Sequence, residues 1–270
     1  MSQLKDNQYA LVTGATMGIG YELAKLFAQD GYNIIAVARN EADLKKVAVE
    51  FSASYGVDVQ IFPKDLFREN SARELYEEVS RKGLHVEVLV NDAGQGVYGF
   101  FDETDIEDQI KIIHLNIVSL TRLTYYFLKE MKARNSGKIL QLGSIVSEIP
   151  SPYQAVYGGT KAFVLSFTEA LISELKDTNI TLTTLQPGAT DTDFFRKMGG
   201  EHSKIAADKD SLADPAKAAK DGFEALMKGD DKVVSGLKNK AQSAMSNVMP
   251  DTMLADQMKK QSEPVNKDNK

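Results

Sequence analysis

Thr13-Gly14-Ala15-Thr16-Met17-Gly18-Ile19-Gly20 joins an apolar, β-branched run at 9–13 to a helical pattern that opens near residue 18. Glycines separated by three residues and then by one allow a tight turn, close approach of the backbone to a pyrophosphate and close packing of helix on strand. The helix start that follows offers unpaired backbone N–H groups and a partial positive charge to an anion. The same glycines would also suit an ordinary turn. A strand before them and a helix after them make the stretch a dinucleotide-binding turn at the first crossover of an α/β sheet.

Outward from that turn the same alternation continues. Short β-branched runs at 33–38, 57–62, 86–91, 138–142, 181–186 and 232–235 are separated by amphipathic stretches at 41–55, 69–82, 106–134, 153–176 and 215–228. Gly31, Gly56 and Gly83 close three of the helical stretches, where a left-handed residue ends a helix. The pattern predicts an α/β, doubly wound Rossmann fold: a mostly parallel seven-stranded sheet with helices on both faces. One catalytic domain is expected over residues 1–240, a helical extension over 241–260 and a disordered tail over 261–270. Met245, Met249 and Met253 recur every four residues and point to one C-terminal helix docked on the core or on a partner subunit.

The 270 residues carry 43% hydrophobic and 26% charged side chains, enough apolar content for one large α/β domain. The absence of cysteine excludes disulfides, thiol nucleophiles and cysteine metal clusters, and suits a cytoplasmic protein. A net charge of -6 without a Lys/Arg block argues against nucleic acid. The polar start 1–10 is unlike a secretory signal, and no apolar run reaches membrane-spanning length. His85, His114 and His202 are scattered without metal-ligand spacing, so no metal site is expected.

A second stretch carries chemistry. In Tyr157-Gly158-Gly159-Thr160-Lys161 the Tyr and the Lys share a helix face, which puts an ammonium beside a phenol. A phenol of pKa about 10 exchanges protons slowly at neutral pH, and a fixed cation favours its anion. Tyr157 is thereby the candidate general acid, with Lys161 expected to lower its pKa. Ser144, thirteen positions earlier, follows a strand and so stands at the edge where open α/β sheets bind ligands; its hydroxyl is expected to hydrogen-bond the substrate oxygen. Gly158 and Gly159 each cost a helix about 0.5–1 kcal/mol relative to Ala, which suggests a close approach or relaxed packing.

At the end of the second strand an acidic residue would hold a ribose 2′-hydroxyl. The chain has Ala38-Arg39-Asn40 there, and a guanidinium suits the 2′-phosphate of NADP(H). Glu41, slightly further on, keeps NAD(H) open.

Taken in order, these residues resemble the short-chain dehydrogenase/reductase family over roughly 9–240. The glycine turn is similar to the family's Thr-Gly-x3-Gly-x-Gly, and Asn91-Asp92-Ala93-Gly94 resembles Asn-Asn-Ala-Gly with one departure at Asp92. Asn116, Ser144, Tyr157 and Lys161 match the family's catalytic Asn, Ser, Tyr and Lys, and Pro187-Gly188-Ala189-Thr190-Asp191-Thr192 resembles its Pro-Gly-x3-Thr. The resemblance implies that Gly14, Thr16, Met17, Gly18, Ile19 and Gly20 hold the dinucleotide and that Asp65 and Leu66 lie beside its adenine. It also implies that Asn91, Ala93 and Gly94 pass the cofactor and that Asn116 supports a water-linked proton relay to Lys161. Pro187 and Gly188 would face the nicotinamide carboxamide, with Thr190 and Thr192 near the phosphates, while Tyr157 and Lys161 reach the nicotinamide ribose. The expected reaction is hydride transfer between NADP(H) and a ketone, aldehyde or secondary alcohol.

Tyr98, Phe100 and Phe101, with Phe194, Phe195 and Met198 before Gly199-Gly200, suggest an apolar mouth with a lid. A rival reading is a catalytically silent dinucleotide sensor or scaffold on the same fold, which would not need Ser144, Asn116, Tyr157 and Lys161 together. Apolar residues on more than one face of 106–134 and 153–176 suit either burial under one chain or pairing between subunits, and the family resemblance implies a homodimer or homotetramer.

Overall fold

Seven strands pair side by side in the order β3-β2-β1-β4-β5-β6-β7 in the computed structural model, which describes residues 4–246 and 249–265. They are β1 (Gln8–Thr13), β2 (Asn33–Ala38), β3 (Val59–Pro63), β4 (His85–Asn91), β5 (Gly137–Leu142), β6 (Ile180–Gln186) and β7 (Lys232–Val234). All the pairings are parallel, where the sequence led us to expect a mostly parallel sheet.

The helices are α1 (Gly18–Gln29), α2 (Glu41–Tyr55), α3 (Ser71–Arg81), α4 (Ile106–Ile113), α5 (Leu120–Arg134), α6 (Ala155–Leu175), α7 (Phe194–Lys197), α8 (Lys204–Ala207), α9 (Pro215–Lys228), α10 (Leu237–Ser246) and α11 (Asp251–Ser262). Side chains alternate across each strand, so one strand feeds two cores. From β1 and β2, Ala10, Val12, Ile34 and Ala36 pack under α1, α2 and α9, against Leu23, Phe27, Phe51 and Leu226. Leu11, Ile35 and Val37 turn the other way and meet Leu75, Leu123, Phe127 and Met131 of α3 and α5. This is the doubly wound arrangement. Phe27, Phe51 and Phe127 are fully buried, and truncating any of them to Ala would cost about 3–5 kcal/mol.

Helix ends follow local chemistry. Asn40 caps α2 by accepting from the Ala42 N–H at 2.9 Å, and Gly56 ends it at φ 72°. Asp214 caps α9, where Pro215 supplies the preset first turn.

Three expectations need correction. The helix expected over 106–134 is broken by a π-helical turn, His114–Ser119. The expected single methionine-striped C-terminal helix is two helices, because Pro250 precedes α11 and has no N–H to continue α10. Of the stripe, Met245 and Met253 are exposed, while Met249 packs against the cluster that Leu254 and Met258 form with Ile145 and Ile149. Residues 261–264 of the expected tail are structured: Gln261 and Ser262 complete α11, and Pro264 bridges to Ser203. The remainder of that tail, 266–270, lies outside the described residues. Among the described residues no helix is long and apolar enough to cross a membrane.

Candidate active site

The strand order reverses between β1 and β4, which opens a crevice at their carboxyl ends. Thr13, paired with Asn91 across this gap, knits it shut below: its hydroxyl accepts from the Asp92 and Ala93 N–H groups at 3.1 and 3.0 Å. Asn91 is buried and its amide donates to Thr124 Oγ1 and Gln141 Oε1. It therefore holds β4 to β5 and α5 from behind the crevice.

The glycine turn crosses the top. Gly14 takes φ +75° and Gly18 φ +59°, conformations that disfavour a side chain. A Cβ on Gly14 would stand 2.7 Å from Asp92 Oδ2. Asp92 is the departure from the family pattern, and it is a buried carboxyl tucked against this turn. Burial pushes it up to about 7, while the Lys161 ammonium and the Gly20 N–H pull it down.

Beyond β5, Ser144 opens a tight turn in which its hydroxyl accepts from the Val146 N–H and the Ser147 hydroxyl accepts from the Ser144 N–H. Its Oγ also shares a hydrogen bond with the Tyr157 phenol. Tyr157 and Lys161 lie one turn apart on the buried face of α6. The Lys161 Nζ is 5.7 Å from the Tyr157 ring centroid and donates to the Leu142 carbonyl at 2.6 Å. Burial brings Lys161 down to about 8, with Asp92 acting against that shift.

The expected acidification of Tyr157 is not what this geometry gives. Burial pushes the phenol above its ordinary value, and the Asp92 charge pushes it further, with only the Ser144 hydrogen bond acting against them. The reason is directional: the Lys161 ammonium is committed to the Leu142 carbonyl and neutralised in part by Asp92.

Asn116 sits in the π-turn and is buried. The widened turn aims its amide at the loop after β4: Nδ2 donates to the Gln95 carbonyl and to Thr160 Oγ1, and Oδ1 accepts from the Gln95 N–H at 3.1 Å. A Cβ on Gly94 would lie 3.4 Å from Asn116 Oδ1 and 3.5 Å from Lys161 Nζ, so this glycine separates the two polar groups. Gly96, missed in the sequence, lets Phe194 and Tyr157 close together; a Cβ there would meet Phe194 Cζ at 3.2 Å and Tyr157 Cδ2 at 3.4 Å. Its signal was a second glycine two residues after Gly94.

A cavity of about 700 Å³ runs through these elements. Of the expected cofactor residues, Gly14, Met17, Gly18, Ile19, Ala93, Gly94, Tyr157, Lys161, Pro187, Gly188, Thr190 and Thr192 line it, as does Ser144. Thr16, Gly20, Arg39, Asp65, Leu66, Asn91 and Asn116 do not. Arg39 is exposed at the end of β2 and lies over the Phe67 ring at 5.5 Å. Glu41, the residue that kept NAD(H) open, is paired with Lys45 at 2.7 Å. Asp65 and Leu66 stand past β3, where Leu66 is buried and its carbonyl accepts from Ser119.

On the opposite side the cavity wall is apolar, with Val146, Phe194, Phe195, Ile205, Leu237 and Met258. Phe100 and Phe101 remain exposed outside it, whereas Met198 is buried. Tyr98 stacks on Tyr153 and its hydroxyl donates to the Ser262 carbonyl, which ties the lid region to α11.

The residues present fit a nicotinamide dinucleotide. α1 starts with no side-chain cap and no acidic residue in its first turn, and its neighbour Gly14 has no room for a Cβ. An anionic pyrophosphate suits such a helix start.

Comparison with known proteins agrees with this geometry. The family model described as short chain dehydrogenase matches residues 8–202. A very-long-chain 3-oxoacyl-CoA reductase of Laccaria bicolor is 36% identical over 180 residues, 66% of this chain and 53% of that protein. The 17-beta-hydroxysteroid dehydrogenase type 3 of Mus musculus is 32% identical over 210 residues, 76% of this chain and 68% of that one. The chain spans about half the length of the 3-oxoacyl-CoA reductases it matches. A solved short-chain dehydrogenase from Sphingobium yanoikuyae in complex with NADPH superposes with a TM-score of 0.78 over 90% of this chain and 96% of that one, at 25% identity. A 7beta-hydroxysteroid dehydrogenase shares the fold, with a TM-score of 0.82 over 93% of this chain and 96% of that one, at 24% identity.

Proposed function

Because the chain belongs to the short-chain dehydrogenase/reductase family, we propose that it transfers a hydride between NADP(H) and an apolar ketone, aldehyde or secondary alcohol, with Tyr157 as general acid/base. The observation that carries this reading is the meeting of Ser144, Tyr157 and Lys161 on one wall of the cavity whose other end is the glycine turn.

The cofactor, when bound, supplies the hydride. The chain's own residues do the rest. Ser144 and Tyr157, already hydrogen-bonded to each other, present hydroxyl donors to a carbonyl oxygen. A raised phenol pKa keeps Tyr157 protonated at neutral pH, and a secondary alkoxide is the stronger base, so proton transfer from Tyr157 Oη in reduction runs downhill. Lys161 supplies a cation beneath that site and would hold the nicotinamide ribose, and Asn116 fixes the Gln95 backbone over it. Thr190, Thr192, Pro187 and Gly188 would border the nicotinamide and phosphates, while Arg39, exposed and without an ion-pair partner among the described residues, would take the 2′-phosphate. Asp65 and Leu66 would flank the adenine.

The apolar wall from Phe194 to Met258 suits a bulky hydrophobic carbonyl, in line with the 3-oxoacyl and hydroxysteroid names of the relatives. Exposed Ile106, Ile110, Tyr125 and Phe163 on α4, α5 and α6 support a homo-oligomer, and the cysteine-free sequence suits the cytoplasm.

Calorimetric titration with NADPH and NADH tests the reading, followed by NADPH oxidation with steroid ketones and 3-oxoacyl thioesters. The reading predicts that NADPH binds more tightly and that Arg39→Ala removes about 10–100-fold of that advantage, the worth of a charge-assisted contact. Equal affinities in the unaltered chain would overturn the cofactor preference.

A further inference from the structure

Lys197 ends α7 on the lid side of the cavity, yet its ammonium crosses to the glycine turn. Its Nζ lies 2.9 Å from the Met17 sulfur, and Met17 directly precedes α1 and lines the cavity with Gly14 and Gly18. A thioether is a weak acceptor. It is nevertheless the one hydrogen-bond acceptor this ammonium has among the described residues.

The crossing is built into the backbone. The Lys197 N–H donates to the Asp193 carbonyl, and its own carbonyl accepts from Gln95 Nε2 at 3.2 Å, so the loop after β4 holds the base of the side chain. The carboxylate best placed to neutralise it, Asp193, is already gripped by Arg196 through two nitrogens at 2.8 and 3.3 Å. Burial lowers the Lys197 ammonium, Asp193 raises it, and the nearby charges of Arg39 and Arg196 lower it again. Arg39 comes from the end of β2 and forms no salt bridge among the described residues; its guanidinium lies over Phe67. A lysine from the lid and an arginine from the sheet thus act on one another as like charges, and among the described residues neither forms a salt bridge with a carboxylate. Like charges brought together this way repel unless an anion joins them.

We propose that Lys197 is a second phosphate-binding residue, which closes with Arg39 on the 2′-phosphate of NADP(H) and so lets the cofactor's adenine end hold the substrate lid. The inference rests on the NADP(H) reading above and adds to it a lid residue that discriminates between the two dinucleotides.

The test is calorimetric titration of the full chain with NADP+ and with NAD+, using Lys197→Met, Lys197→Arg and Arg39→Ala. Met keeps the aliphatic length beside Met17 and removes only the charge; thermal unfolding of each variant checks that the fold is intact. Lys197→Met weakens NADP+ about tenfold or more, leaves NAD+ within about twofold, and Lys197→Arg restores most of the loss. Equal loss for both dinucleotides would mean that Lys197 meets the shared pyrophosphate, and no loss for either would mean an idle surface lysine; each overturns the inference. If Arg39→Ala abolishes the NADP+ preference while Lys197→Met leaves it intact, the NADP(H) reading stands and the lid contact falls. If the unaltered chain prefers NAD+ or binds neither dinucleotide, both fall.

Discussion

A Cβ on Gly20 would stand 2.4 Å from Asp92 Oδ2, so the Asp92 carboxyl fills the notch left by the third glycine of the turn. The Gly20 N–H donates to it, and the Lys161 ammonium attracts it from the other side. One side chain therefore links the cofactor turn to the catalytic lysine.

That link is pH-dependent. Burial raises the Asp92 pKa from 3.8 in the unfolded chain to about 7 in the fold. Between these values the folded chain keeps a proton that the unfolded chain has released, so this group's contribution to stability falls as pH rises through the window and is level above it. Asp92→Asn still accepts from Gly20 and loses the slope. Urea midpoints measured across that window should show the variant gaining on the unaltered chain as pH rises; parallel curves would refute the assignment. The Asp92 charge also raises the Lys161 pKa, so the alkaline limb of kcat/KM should move to lower pH in the variant.

The two glycines between Tyr157 and Lys161 differ in their surroundings. A Cβ on Gly158 would stand 2.9 Å from Ser151 Cβ, whereas Gly159 has nothing within 4 Å. Gly159→Ala should stabilise the protein by about 0.5–1 kcal/mol, the helical preference for Ala. Gly158→Ala should destabilise it by about 1–3 kcal/mol through overpacking. Chemical denaturation distinguishes the two, and equal effects would contradict the packing described.

Much of this architecture was legible in the residues. Strands buried on both faces read as short β-branched runs, and each observed strand begins or ends within two residues of its expected place. Glycine, serine, tyrosine and lysine were legible because their roles depend on backbone freedom or helix spacing, which are local. The π-turn at Asn116 was not, since it depends on what α4, α6 and the loop after β4 demand together. The Tyr157 pKa direction was misread because helix spacing places Lys161 beside the phenol without showing that its ammonium is turned to Leu142. Lys197 escaped notice for a similar reason: it meets Met17 across 180 positions of sequence.

The most direct measurement pairs turnover with cofactor binding in Tyr157→Phe. The phenyl ring keeps the packing against Phe194, whose centroid lies 5.1 Å from that of Tyr157, and removes only the hydroxyl. The account predicts unchanged NADPH affinity with turnover reduced at least about 10²–10⁴-fold, the range for loss of a general acid. Turnover retained within a few fold would contradict Tyr157 as the proton donor.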